Sequence, residues 1–145
     1  MSNVQLKNYQ ISTLESLKTY LTQARVIGAK AAYDAHDKPN VVNVRPYQAL
    51  PAPLDTVPYV CLRLPTGGGK TLLSAHTVRI ASETYLERDF PLVLWLVPSN
   101  TIRQQTLETL KTAGNPNHEA LRTVFDGKFM VLDITDFEQL RPQDL

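Results

Sequence analysis

Leu62-Arg63-Leu64-Pro65-Thr66-Gly67-Gly68-Gly69-Lys70-Thr71 is the stretch that decides how this chain is read. Three consecutive glycines free the backbone to reach φ > 0, which most side chains forbid. Such a loop can turn its N–H groups inward around an anionic oxygen. Lys70 follows at once, within reach of the terminal phosphates of a nucleotide. Thr71 brings the hydroxyl that a phosphate-bound Mg²⁺ takes as a ligand. The full eight-residue phosphate-loop wording has glycine where this chain has Leu64, so the match is the shorter Pro-Thr-Gly-Gly-Gly-Lys-Thr. An apolar run, Tyr59-Val60-Cys61-Leu62, precedes the loop, and a helical pattern with Leu72, Leu73 and Ala75 follows it. Strand, glycine loop and helix is the context such a loop requires.

Working outward, Pro91-Leu92-Val93-Leu94-Trp95-Leu96-Val97 is a continuous apolar run. It reads as a strand covered on both faces of a parallel sheet, with Trp95 in the core. Lys128 to Ile134 reads as a third strand. The helix after the glycine loop is expected from about Lys70 to Leu86, with Leu73, Ala81 and Tyr85 inward. His76 within it is assigned no chemistry. A second helix should begin near Ser99 or Thr101, where Thr101-x-x-Gln104 has capping-box spacing. Ile102, Leu107 and Leu110 supply its buried face, and Gly114-Asn115-Pro116-Asn117 is read as its stop. Thr135-x-x-Glu138 repeats the capping-box pattern before a short last helix. Alternating strands and helices predict an α/β fold with a parallel sheet and crossover helices.

The N-terminal part reads differently. Leu6, Tyr9, Leu14, Leu17 and Leu21 give one apolar stripe, predicting a helix over 5–25. A short helix is expected within 26–38. Five of the ten prolines fall between Pro39 and Pro58, marking a loop or extended connection. The organisation expected is an N-terminal helical segment, 1–58, and a nucleotide lobe, 59–145.

Composition sets the outer limits. The chain has 145 residues, 43% of them hydrophobic, enough for one core, and a net charge of +1 that advertises no overall positive field. One cysteine excludes an intramolecular disulfide, and Cys61 is expected as a buried thiol in the first strand. No signal peptide and no apolar run near 18 residues is evident. The expected location is cytoplasmic, without membrane contact.

The glycine loop resembles motif I of superfamily 2 helicases and translocases. Leu96-Val97-Pro98-Ser99-Asn100-Thr101-Ile102-Arg103 resembles motif Ia of that superfamily, a strand ending in Val-Pro before a polar helix start. The wording from Cys61 to Leu73, with Leu-Trp-Leu-Val-Pro-Ser after it, is similar to the helicase subunit of type III restriction enzymes. The resemblance implies a RecA-like P-loop NTPase lobe that binds ATP with Mg²⁺ through Thr66, Gly67, Gly68, Gly69, Lys70 and Thr71. It implies a catalytic role for Lys70 and a Mg²⁺ contact at Thr71. Leu6-Lys7-Asn8-Tyr9-Gln10 resembles the Q motif, in which glutamine recognises adenine; Tyr47-Gln48 shares the wording, but Pro51 and Pro53 follow it.

In motif Ia the strand end and helix start meet a phosphodiester backbone. That implies DNA contact by Pro98, Ser99 and Arg103. Val131 to Thr135 resembles a later motif, which adds Thr135. A helix N-terminus with hydroxyl and guanidinium donors suits a phosphate. Hydrolysis needs the Asp-Glu pair of motif II, and no Asp-Glu pair occurs in this sequence. The chain therefore reads as the N-terminal piece of a longer motor, cut before motif II. The rest of the helicase, a nuclease and a modification subunit are its implied partners. Two other readings stand beside it: a small P-loop kinase or NTPase using Asp133, and an inactive truncated fragment.

Overall fold

Helix formation in this chain follows the apolar spacing closely. The computed structural model describes residues 5–38 and 42–139. Pro39 and the terminal stretch Arg141 to Leu145 lie outside the described residues. Helix α1 runs Asn8–Ile27, α2 Ala29–Ala35, α3 Lys70–Ala81, α4 Asn100–Lys111 and α5 Pro116–Val124. A π-helical turn, Ser82–Leu86, extends α3, and a 3₁₀ turn occupies Ile134–Gln139.

The stripe of α1 is carried by Gln10, Leu14, Leu17, Leu21 and Ala24, joined by Tyr20. Those steps of four and three residues keep one face inward. Leu6 and Tyr9, expected in the stripe, lie off it, and Gln10 takes the place at its head. Gly28 ends the helix at φ 87, its N–H donating to Ala24 O. The chain then folds back as α2, and the Tyr20 hydroxyl donates to Ala29 O at 3.3 Å. Burial, reinforced by the neighbouring Tyr47 hydroxyl, raises the Tyr20 pKa above the ordinary phenol value.

Helix α3 is the centre of the molecule. On one side Ile80, Ala81 and Tyr85 pack with Leu17, Tyr20, Leu21, Ala24 and Ala32. On the other, Leu72, Ala75 and Val78 pack with Leu110, Leu121, Val124 and Phe125. The contacts run α2 to α1, α1 to α3, α3 to α5 and α5 to α4. A helix covered from two sides needs apolar residues around much of its circumference, and α3 has them. Leu73 is 1% exposed.

The expected parallel sheet is absent among the described residues. No β-strand occurs among the described residues, and the RecA-like sheet expected from the sequence is corrected accordingly. The stretches 58–65, 91–97 and 128–133 carry no ladder. Their compositions suit strands, but a ladder also needs a second backbone within about 4.8 Å. Leu92, Leu94 and Leu96 are 85%, 82% and 80% exposed, so the run is not covered on both faces. Its other face packs: Trp95 lies against the second core, with Phe129 and Val131 beside it. Cys61 is exposed rather than buried, because the segment that carries it has no sheet around it.

Two helix boundaries also differ from expectation. Gly114-Asn115-Pro116-Asn117 ends one helix and opens another. The Asn115 side chain accepts from the Asn117 N–H at 3.0 Å, and Pro116 occupies the first turn of α5. Asparagine before proline is a helix start, since Pro lacks the N–H that would be orphaned there. Near the last turn, Thr135 lies inside the 3₁₀ turn rather than before it, and Asp133, just ahead of the turn, accepts the Ile134 N–H on its Oδ1 at 2.8 Å. The Glu138 side chain, the other half of that expected capping box, lies outside the described residues.

Candidate functional site

The glycine loop lies between the first core and the start of α3. Gly67 has φ 74 and Gly69 φ 76, both in the left-handed region that glycine reaches without strain. Gly68 is buried, and a Cβ there would meet Pro65 O at 2.8 Å. The Gly68 N–H donates to Pro65 O at 2.9 Å, which closes the turn. Thus two glycines are fixed by dihedral and one by space.

Gly69 is the N-cap of α3, and no side chain caps it. By helix geometry the N–H groups of the first turn have no intrahelical partner. Those of Lys70, Thr71 and Leu72 are in that position. Helix α4 differs, since Ser99 caps it, and α5 is capped by Asn115. The uncapped start of α3 presents its donors and the positive end of its dipole at the loop. Lys70 is exposed, and its Nζ donates to Pro65 O at 3.0 Å, folded over the loop it follows. Thr71 is half-buried on the same first turn. Thr66 is exposed at the loop entrance. The structure therefore brings Thr66, Gly67, Gly68, Gly69, Lys70 and Thr71 into one compact turn.

Gln10 meets this loop directly. Its Nε2 donates to Gly68 O at 2.9 Å, and its Oε1 accepts from the Lys7 N–H at 2.8 Å. The Tyr9 hydroxyl donates to the same Gly68 carbonyl at 3.2 Å. Sequence reasoning placed Gln10 near a nucleotide but missed Gly68 as its partner. A signal was present: positions 10, 14, 17, 21 and 24 share one helix face, and a polar residue there must find a buried partner. Tyr47 is occupied elsewhere, donating to Val57 O at 3.2 Å and accepting from the Tyr59 N–H.

A second group of candidates lies at the start of α4. Ser99 Oγ accepts from the Ile102 N–H at 3.3 Å, so Ser99, not Thr101, is the cap. Arg103 donates twice to Asn100 Oδ1, at 2.9 and 2.8 Å, and its Nη1 pairs with Asp133 Oδ1. Thr135 Oγ1 donates to Asp133 Oδ2 at 3.4 Å. Asp133 thus gathers Arg103 and Thr135, two residues 32 positions apart in the sequence. The Arg103 guanidinium, together with the Ile134 N–H, holds the Asp133 carboxyl below the usual carboxylate range. Asp133 serves as the anchor of this group. Pro98 is exposed, immediately before the cap. A depression lined by Arg79, Ser82, Phe90, Phe125 and Lys128 lies at the opposite end of α3 from the loop.

The sequence profile of the family described as "Type III restriction enzyme, res subunit" matches residues 3–137. The chain belongs to the type III restriction enzyme Res-subunit family. No curated protein and no solved structure matches it. Members of the Res family are helicase-like ATPases that generally use ATP and Mg²⁺, with DNA and a modification subunit as general partners. Both candidate groups, the glycine loop and the start of α4, fall inside the span matched to the Res family. No helix among the described residues is long and apolar enough to cross a membrane.

Proposed function

We propose that this chain is the ATP-binding portion of an ATP-dependent DNA translocase of a type III restriction or related defence system. One observation carries the reading: an uncapped helix start preceded by glycines at φ 74 and 76, with Lys70 and Thr71 in its first turn. Free N–H donors, a helix dipole and an ammonium group are what a polyphosphate tail needs. The residues fit Mg·ATP. Thr66 to Thr71 would hold the triphosphate, Lys70 would exchange Pro65 O for phosphate oxygens, and Thr71 would offer its hydroxyl to Mg²⁺. The bound nucleotide supplies the energy of phosphoryl transfer, and this chain's residues bind and orient it.

DNA contact is assigned to Pro98, Ser99, Arg103 and Thr135. A phosphodiester oxygen would compete with Asp133 for the Arg103 guanidinium, an exchange between two anionic partners of the same cation. We place residues 1–58 as the helical entry segment and 59–145 as the nucleotide portion, in the cytoplasm. The remainder of a helicase and a modification subunit are the proposed partners, with DNA cleavage by a nuclease.

Hydrolysis requires a carboxylate pair, and the sequence has no Asp-Glu. The expected behaviour of this chain is binding of Mg·ATP with little or no turnover. Titration calorimetry of the 145-residue chain and of Lys70→Ala tests it. Loss of the charge-assisted contacts should weaken Mg·ATP at least about tenfold. No binding at millimolar ATP, or equal affinity in the two proteins, would remove the reading. Robust Mg²⁺-dependent turnover abolished by Lys70→Ala would overturn the claim that the chain binds without hydrolysing.

A further inference from the structure

The run Pro91 to Val97 has two faces. Trp95 packs against the second core, while Leu92, Leu94 and Leu96 stand in solvent. That alternation has the two-residue period of an extended chain. Each non-proline residue of such a chain has one main-chain N–H and one C=O, which bond to water or to another backbone. From Pro91 to Val97 none of these groups has a protein partner among the described residues. The other two apolar stretches are tied at one end. The Tyr59 N–H donates to the Tyr47 hydroxyl at 3.0 Å, and the Lys128 N–H donates to Phe125 O at 2.9 Å.

Nothing within the run opposes a like neighbour. No charged residue lies between Asp89 and Arg103, and prolines stand only at the two ends, Pro91 and Pro98. Exposed strands ordinarily carry a lysine, an internal proline or a bulge that blocks pairing with another chain. The other two stretches do carry charge, Arg63 in one and Lys128 and Asp133 in the other.

The surface left open is also large. The chain exposes 10890 Å², whereas a compact monomer of this mass exposes about 7500 Å². The excess, about 3000 Å², is more than the roughly 800 Å² that each partner gives to a standard interface.

We propose that the occupant of this run is a second copy of the chain: the 91–97 runs of two molecules pair antiparallel about a two-fold axis at Leu94. In that register Leu94 faces Leu94, Leu92 faces Leu96 and Val93 faces Trp95, so these cross-strand pairs are all apolar. The pairing gives the open main-chain groups a ladder. Neighbouring leucines of the two copies shield one another. Such a contact uses the same patch on both molecules and closes on itself as a dimer. Its mode is the addition of a strand to an exposed edge. The glycine loop and Lys70 take no part in it.

The test is sedimentation equilibrium of the full chain at micromolar concentration. The samples are the wild type, Leu94→Lys, Leu94→Glu, an equimolar mixture of those two variants, and Val26→Lys. Leu94 is exposed in the single molecule, so either charge leaves its fold intact, which circular dichroism checks. On a two-fold axis each charge meets itself, and like charges directly opposite destabilise a pair. The wild type is expected as a dimer. Each Leu94 variant should raise the dimer dissociation constant at least about tenfold. The mixture should recover the dimer, because opposite charges then face each other. Val26→Lys, on an exposed position of α1, should behave as the wild type.

A wild type that stays monomeric would overturn the proposal in favour of another occupant. A dimer indifferent to both Leu94 variants, or polymers without a discrete dimer, would overturn it too. So would a mixture that does not reassociate, or an equal loss in Val26→Lys.

Discussion

Gly69 is constrained from two directions. Its φ of 76 lies in the left-handed region, and the Gln10 amide occupies the space a Cβ would need. The first constraint costs an L-residue roughly 1–2 kcal/mol. The second depends on Gln10 being present. Gly69→Ala is therefore expected to destabilise the chain and weaken Mg·ATP, and to do so less when Gln10 is also alanine. A double-mutant cycle read by urea denaturation measures the coupling. Equal cost in the two backgrounds would mean that the amide does not crowd Gly69. At this scale the tight glycine turn, with positive φ at Gly67 and Gly69, was legible, because glycine carries its backbone freedom locally. The partner of Gln10 was not, because its hydrogen bond spans 58 residues. The pairing of Asp133 with Arg103 escaped for the same reason: an isolated aspartate does not announce an arginine 30 residues earlier.

Among the elements, helices were read well and strands were not. The spacing in 5–25 anticipated α1, and the pattern after Lys70 anticipated a helix to about Leu86, which the structure divides into α3 and a π-helical turn. Helix periodicity is written within one segment, and its hydrogen bonds close within four residues. A sheet is a property of at least two segments, so an apolar run fixes composition but not pairing. Pro91 to Val97 shows the difference, with Trp95 packed on the second core and Leu92, Leu94 and Leu96 facing out. Helix α5 was missed although its signal was complete, because Asn115-Pro116 was read as an end when it is a beginning. Ser99 offers a test at this scale. Its hydroxyl caps α4 through the Ile102 N–H, and Ser99→Ala should cost about 1 kcal/mol of stability. Ser99→Asp, which restores an acceptor, should recover most of that loss in the same denaturation experiment. An alanine variant as stable as the wild type would show that the cap contributes nothing.

The whole molecule is built around α3, which shares one core with α1 and α2 and another with α4 and α5. That placement sets both candidate groups. The loop sits at the α3 N-terminus, where α1 delivers Gln10 and Tyr9, and the α4 start is tied to the chain beyond α5 by Arg103 and Asp133. The N-terminal helix is thus part of the loop's support. Its removal should disturb the loop as well as the first core. The central claim is that the backbone donors between Gly67 and Leu72 grip a polyphosphate. The most direct measurement is the ¹⁵N–¹H correlation spectrum of the chain titrated with Mg·ATP. The account predicts the largest amide shifts at Gly67, Gly69, Lys70, Thr71 and Leu72, and their loss in Lys70→Ala. Shifts centred on α4 and α5, with the Gly67–Leu72 amides unmoved, would contradict it.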